Sequence, residues 1–170
     1  MPSQKNLDLQ LKYAKKIAII GVGSELRGDD IAGLLVIHRL KKRLSALKLA
    51  RRVKCFYGGT APENLTGEIR RFLPTHLIIV DSLDIGKKPG TLVVLSPAEV
   101  GSGVSFSTHK MPIKVMIEYL SRSLNCEITL VGIQPKSLDF NSPASKPIKK
   151  SITAASNLIL KSIRTSQDHK

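Results

Sequence analysis

The chain has 170 residues, 42% hydrophobic and 24% charged, a balance that fits one globular domain and excludes a disordered or fibrous polymer. No apolar run approaches a membrane span and MPSQKNLDLQLKYAKK lacks a signal-peptide apolar region, so a cytoplasmic protein is expected. Lys and Arg number 27 against 13 Asp and Glu, giving +14, while aromatics make up only 4% and leave few surfaces for stacking nucleic-acid bases.

Leu7, Leu11 and Ala14 recur at helical spacing, predicting an amphipathic N-terminal extension over residues 1–15. An α/β domain is expected over 16–165, with a tail over 166–170. The first strand, Lys16–Ile20, ends in Gly21-Val22-Gly23. A helix from about Asp30 to Lys48 follows, with Leu34, Ile37, Leu40, Leu44 and Leu47 on one stripe. Val53–Tyr57 reads as the second strand and runs into Gly58-Gly59. Thr60 and Glu63 have the spacing of a capping box, with Pro62 in the first turn of a helix ending near Arg71.

Leu77–Val80 is apolar throughout, as a central strand covered on both faces should be, and is expected to deliver Asp81 at its carboxyl end. The turn Lys87–Gly90 leads to a strand over Thr91–Leu95. Residues Ser96–Ser107 read as a long irregular loop. A helix over Met111–Leu124, a strand over Ile128–Ile133, a loop over Gln134–Lys146 and a helix over Pro147–Arg164 complete the chain. The alternation predicts a single three-layer α/β/α domain on a mostly parallel five-stranded sheet.

Gly21-x-Gly23 after a strand suggests a dinucleotide turn. The fingerprint then requires glycine where Leu26 stands, and two acids follow where a helix N-terminus would receive a pyrophosphate. A tight turn accounts for the glycines, not for the acids. One of Asp29 and Asp30 suffices as a helix cap; a second beside it adds repulsion unless a cation or a proton uses it. Asp81, after four apolar residues, is costly to desolvate unless paired or metal-bound. A parallel sheet puts it on the same edge as Asp30. His109, before a helix, lies at another loop junction expected on that edge.

Two carboxylates and an imidazole suit a divalent transition metal with open positions. His38 in a helix, His76 at the opposite sheet edge and His169 in the tail are the less informative histidines. Cys55 and Cys126 form no CxxC pair and read as reduced structural thiols. Arg39–Lys54, RLKKRLSALKLARRVK, contains no acid; it reads as a solvated face or as a surface for an anionic partner.

Read together, these segments resemble the hydrogenase maturation proteases over roughly Ile17 to Asp139. The resemblance is carried by Gly21-Val22-Gly23-Ser24 through Asp29-Asp30 to Gly33, by Gly58-Gly59-Thr60, by Val80-Asp81-Ser82, by Ser107-Thr108-His109, and by the strand and turn Leu130–Leu138. It implies an endopeptidase that removes the C-terminal extension of a nickel-iron hydrogenase large-subunit precursor after nickel insertion. It implies that Asp30, Asp81 and His109 are the metal-binding and catalytic residues, with nickel brought by the precursor and the free enzyme metal-free. A monomer is expected.

Ser24 stands where the family carries asparagine, and Ile31 where glycine is common. Peptide hydrolysis by a metal-polarised water or by a carboxylate base both fit, and Asp29 fits either a cap or a supporting role. A basic α/β module that binds nucleic acid or an acidic protein without catalysis is the competing reading.

Overall fold

The computed structural model describes residues 2–101, 105–106 and 113–166. Eleven regular elements follow in chain order: α1 Pro2–Leu11, β1 Ile17–Val22, α2 Ala32–Ala46, β2 Val53–Gly59, α3 Thr66–Phe72, β3 His76–Asp84, β4 Leu92–Leu95, β5 Ser105–Phe106, α4 Ile113–Ser123, β6 Glu127–Ile133 and α5 Lys146–Thr165. The strands form one sheet in the order β2-β1-β3-β6-β4, with β5 pairing β3 off that path. β2, β1, β3 and β6 are mutually parallel, and β4 runs antiparallel on the edge.

Strand alternation divides the core in two. Ile17, Ile19, Ile78, Val80, Val131 and Ile133 face a layer of α1, α2 and α5. Ala18, Ile20, Leu77, Ile79, Ile128 and Leu130 face α3 and α4. Each fully buried Ile or Leu contributes about 2 kcal/mol relative to exposure, which is why the central strands read as unbroken apolar runs. Leu7 and Leu11 of α1 are fully buried in the first layer. Gln4 and Ser162 join α1 to α5, with Ser162 also donating to Asp8.

β1 has β2 on one side and β3 on the other, and the helices that follow β1 and β2 leave on opposite faces. The chain therefore reverses its winding between β1 and β3. Open α/β sheets bind ligands in a crevice at such a reversal, outside the carboxyl ends of the strands.

Four expectations are corrected. Asp81 does not end its strand: β3 continues to Asp84, pairing with β6 as far as Ser82 and with β5 at Leu83 and Asp84. Its pairing with β1 ends at Gly21 and Val80, so Asp81 lies one residue past that ladder. Asp30 does not open an α-helix but belongs to a 3-10 turn over Gly28–Ile31 that precedes α2.

Thr60 makes no capping box. A 3-10 turn over Pro62–Leu65 starts from Ala61 without a side-chain cap, and α3 begins only at Thr66. Pro62 does occupy the first turn, as its missing N–H favours. The expected irregular loop after β4 contains a 3-10 turn over Pro97–Gly101 and the two residues of β5.

Candidate active site

The crevice is shaped first by glycines. Gly23 has φ +147, and a Cβ there would lie 1.9 Å from the Asp30 carbonyl oxygen. A Cβ on Gly33 would lie 2.3 Å from the carbonyl oxygens of both Val22 and Val80. The start of α2 therefore rests directly on the backbones of β1 and β3 at the winding reversal. The glycines serve this close approach.

Three carboxylates are buried at this edge: Asp29, Asp30 and Asp81 are 1%, 2% and 1% exposed. Desolvation at this level requires specific partners, and those partners separate the three. Asp29 accepts from the backbone N–H of Lys136 at 2.7 Å, of Ser137 at 3.3 Å and of Ser145 at 2.7 Å, and from Ser145 Oγ at 2.8 Å. Its own N–H donates to the Ser137 carbonyl at 3.0 Å.

Asp29 is thus a clamp between the loop after β1 and the loop after β6. Ser145, which stands at the N-cap of α5, makes no side-chain cap bond there; its hydroxyl goes to Asp29 instead. Asn141 N–H to Leu26 O at 2.7 Å and Arg27 Nε–H to Leu138 O at 3.4 Å extend the same seam. Ser24 accepts from the Leu26 N–H at 3.2 Å, so the residue that departs from the family pattern makes a local turn.

Asp30 and Asp81 converge on Ser82. The Ser82 N–H donates to Asp81 Oδ1 at 2.7 Å, and Ser82 Oγ donates to Asp30 Oδ1 at 3.0 Å. One serine thereby links a loop carboxylate to a strand carboxylate across the crevice. Ser82 was legible only as the residue after Asp81. Two buried carboxylates bonded to the same serine are hard oxygen donors, the ligand type that suits a divalent cation.

Among the described residues no group of three His, Cys, Asp or Glu side chains is placed to hold a metal. His109, the third residue of the expected trio, lies outside the described residues, as do Met111 and Pro112, the expected start of its helix.

Gln134 is a further site-edge residue that sequence reading left in a loop. It is buried. Its Oε1 accepts from Ile85 N–H at 2.8 Å and Lys87 N–H at 3.1 Å, while its Nε2 donates to Asp84 Oδ1 at 3.1 Å. It ties the loop leaving β3 to the end of β6. Its amide bond, with Gly86 N–H, holds the Asp84 carboxyl below its ordinary range. On the rim the Tyr57 hydroxyl donates to Glu25; burial and this bond push the phenol up to about 12. Cys55 and Cys126 are free, and burial raises their thiols to about 12 and about 11, keeping both protonated.

Comparison with known proteins bears on the whole chain. The sequence profile of the HycI hydrogenase maturation protease family matches residues 34–162, so Asp81 falls inside the matched span and Asp30 just before it. The Methanocaldococcus jannaschii protein MJ0631 is 36% identical over 143 residues, covering 82% of this chain and 83% of that protein. The Escherichia coli hydrogenase 3 maturation protease is 34% identical over 134 residues, covering 79% and 82%. The crystal structure of the nickel-iron hydrogenase maturation protease HycI from Thermococcus kodakarensis superposes with a TM-score of 0.83 at 28% identity, covering 94% of this chain and 99% of that one.

Proposed function

Because this chain belongs to the hydrogenase maturation protease family, we propose that it trims the C-terminal extension of a nickel-iron hydrogenase large-subunit precursor that already carries nickel. In this reading Asp30, Asp81 and His109 are the residues that meet the metal and the scissile peptide. The observation that carries the reading is the pair of buried carboxylates from two elements, linked through Ser82 at the winding reversal. The non-catalytic binding module gives way as the account of the whole chain, since the family is a peptidase family.

His109 enters this reading through the sequence: Ser107-Thr108-His109 matches the family's histidine before a helix.

Nickel here belongs to the substrate. It supplies a Lewis-acidic centre that two carboxylates and an imidazole can recognise. An incomplete ligand set binds an empty precursor too weakly to hold its tail, which makes nickel loading the condition for cleavage. Hydrolysis itself joins a water oxygen to the peptide carbonyl carbon, breaks the C–N bond and delivers a proton to the leaving amine. In this reading Asp30 and Asp81 orient that water and hold its proton. Asp29, fully engaged with the second loop, keeps the first loop in position. Leu26, Tyr57 and Phe140, all exposed at this same edge, offer apolar contact to the bound tail.

The test mixes the purified protein with nickel-loaded and nickel-free precursor and follows the C-terminus by intact mass. Trimming of the loaded form alone is expected. Equal trimming of both would sink nickel recognition, and no trimming of either would sink the substrate assignment.

A further inference from the structure

A basic surface lies on helices α2 and α5. α2 carries Arg39, Lys41, Lys42 and Arg43, α5 carries Lys146, Lys149, Lys150, Lys161 and Arg164, and neither helix contains an Asp or Glu. These two helices pack side by side on the same face of the sheet. Like charges three and four residues apart weaken a helix, so the pairings of Arg39 with Lys42 and Arg43, and of Lys146 with Lys149 and Lys150, are unfavourable within their helices. Glu63, Glu68 and Glu118 lie on elements of the opposite layer.

Between α2 and α5 runs an open groove of about 530 Å³. Leu35 and Ile152 give it an apolar floor, and Arg39, Lys42 and Lys149 line its rim together with His38 and Arg43. The rim side chains are exposed, whereas Leu35 is half-buried and Ile152 buried. Arg43 reaches across the groove, its Nη1 donating to Asn157 Oδ1 at 2.5 Å. Since Asp29 holds Ser145 at the start of α5, the groove is fixed in position relative to the catalytic crevice.

We propose that this groove docks an acidic, amphipathic segment of a partner protein. Carboxylates on such a segment meet the basic rim, and its apolar residues, recurring every three to four positions, fill the floor. A nucleic acid uses only half of this surface. Its phosphates gain nothing from Leu35 and Ile152, and neither helix carries a Phe, Tyr or Trp for a base to stack on. The proposal is separate from the cleavage reaction, so its failure leaves the peptidase reading standing.

The test is fluorescence anisotropy on the full-length protein. The probe is a labelled synthetic helical peptide with Leu recurring every three to four residues among Glu. A scrambled peptide of equal composition and a mixed-sequence RNA duplex serve as competitors. The patterned peptide is expected to bind about tenfold more tightly than the scrambled one, with affinity falling as salt rises from low to physiological.

The double variant Lys42→Glu, Lys149→Glu should weaken binding by more than about tenfold, and Leu35→Ala by about threefold. Lys42→Gln, Lys149→Gln provides a milder pair, and thermal melts establish that each variant is folded. Equal binding of patterned and scrambled peptides overturns the proposal. So does unchanged binding by both folded double variants, or displacement of the peptide by RNA duplex at lower concentration than by unlabelled peptide, which would assign the face to nucleic acid.

Discussion

The two ends of the sheet bury polar side chains in contrasting ways. At the amino end His76 is 1% exposed, and its Nε2 meets Thr129 Oγ1 at 2.8 Å between neighbouring strands. Burial lowers its pKa to about 4, so the ring is neutral at physiological pH. At the carboxyl end three ionisable acids are buried as deeply, and two of them share a serine. Burial alone therefore does not distinguish structure from function. A neutral ring with one hydroxyl is a closed arrangement. Asp29, with four donors drawn from a single distant loop, is equally structural. Asp30 and Asp81 converge from separate elements onto a crevice.

The sharpest way to break this contrast is Asp81→Asn. If Asp81 belongs to the reaction, precursor cleavage should fall by about two to four orders of magnitude, read as the rate of loss of the C-terminal fragment, with little change in melting temperature. Activity close to wild type would return Asp81 to the structural class of His76.

Asp29→Ala should do the opposite. It strands four buried donors and is expected to cost about 3 kcal/mol, lowering the melting temperature by roughly 10 °C. A melt no lower than that of Asp81→Asn would dissolve the distinction between clamp and reactive pair.

The amino end is probed by pH. The folded pKa of His76 lies below its ordinary 6.5, so between those values the unfolded chain binds more protons than the folded one. Stability is then complete above pH 6.5 and is lost as pH falls toward about 4, by about 3 kcal/mol in all. Urea midpoints across this range should fall more steeply for the wild type than for His76→Gln; parallel curves would remove His76 as the source. The smallest effect belongs to Thr60→Ala. With no capping box formed and the side chain exposed, stability should change by less than about 0.5 kcal/mol.

The sequence revealed the layers because β1, β3 and β6 are buried on both faces, and continuous Ile, Leu and Val runs have few other uses. It revealed the edge of the sheet where Asp30 and Asp81 gather, because parallel connections force carboxyl ends together. It did not reveal that β3 outruns β1, since Ser82 and Leu83 look alike in a strand or a loop. It did not reveal the work of Asp29 or Gln134 either. Their partners are backbone N–H groups tens of residues away at Ile85, Lys136 and Ser145, and every residue but proline has one. Thr60 and Glu63 show the reverse error: the right letters at the right spacing, with the helical turn starting one residue later.

The contact of α2 with the sheet has a consequence for anyone who would reshape this enzyme. At Gly23 and Gly33 there is room for a hydrogen atom and nothing larger. A methyl group at either position acts as a wedge, pushing the turn that carries Asp30, or the start of α2 behind it, off the strands. Combinatorial libraries aimed at new cleavage preferences therefore belong on the exposed rim at Leu26, Tyr57 and Phe140, with these two glycines held constant.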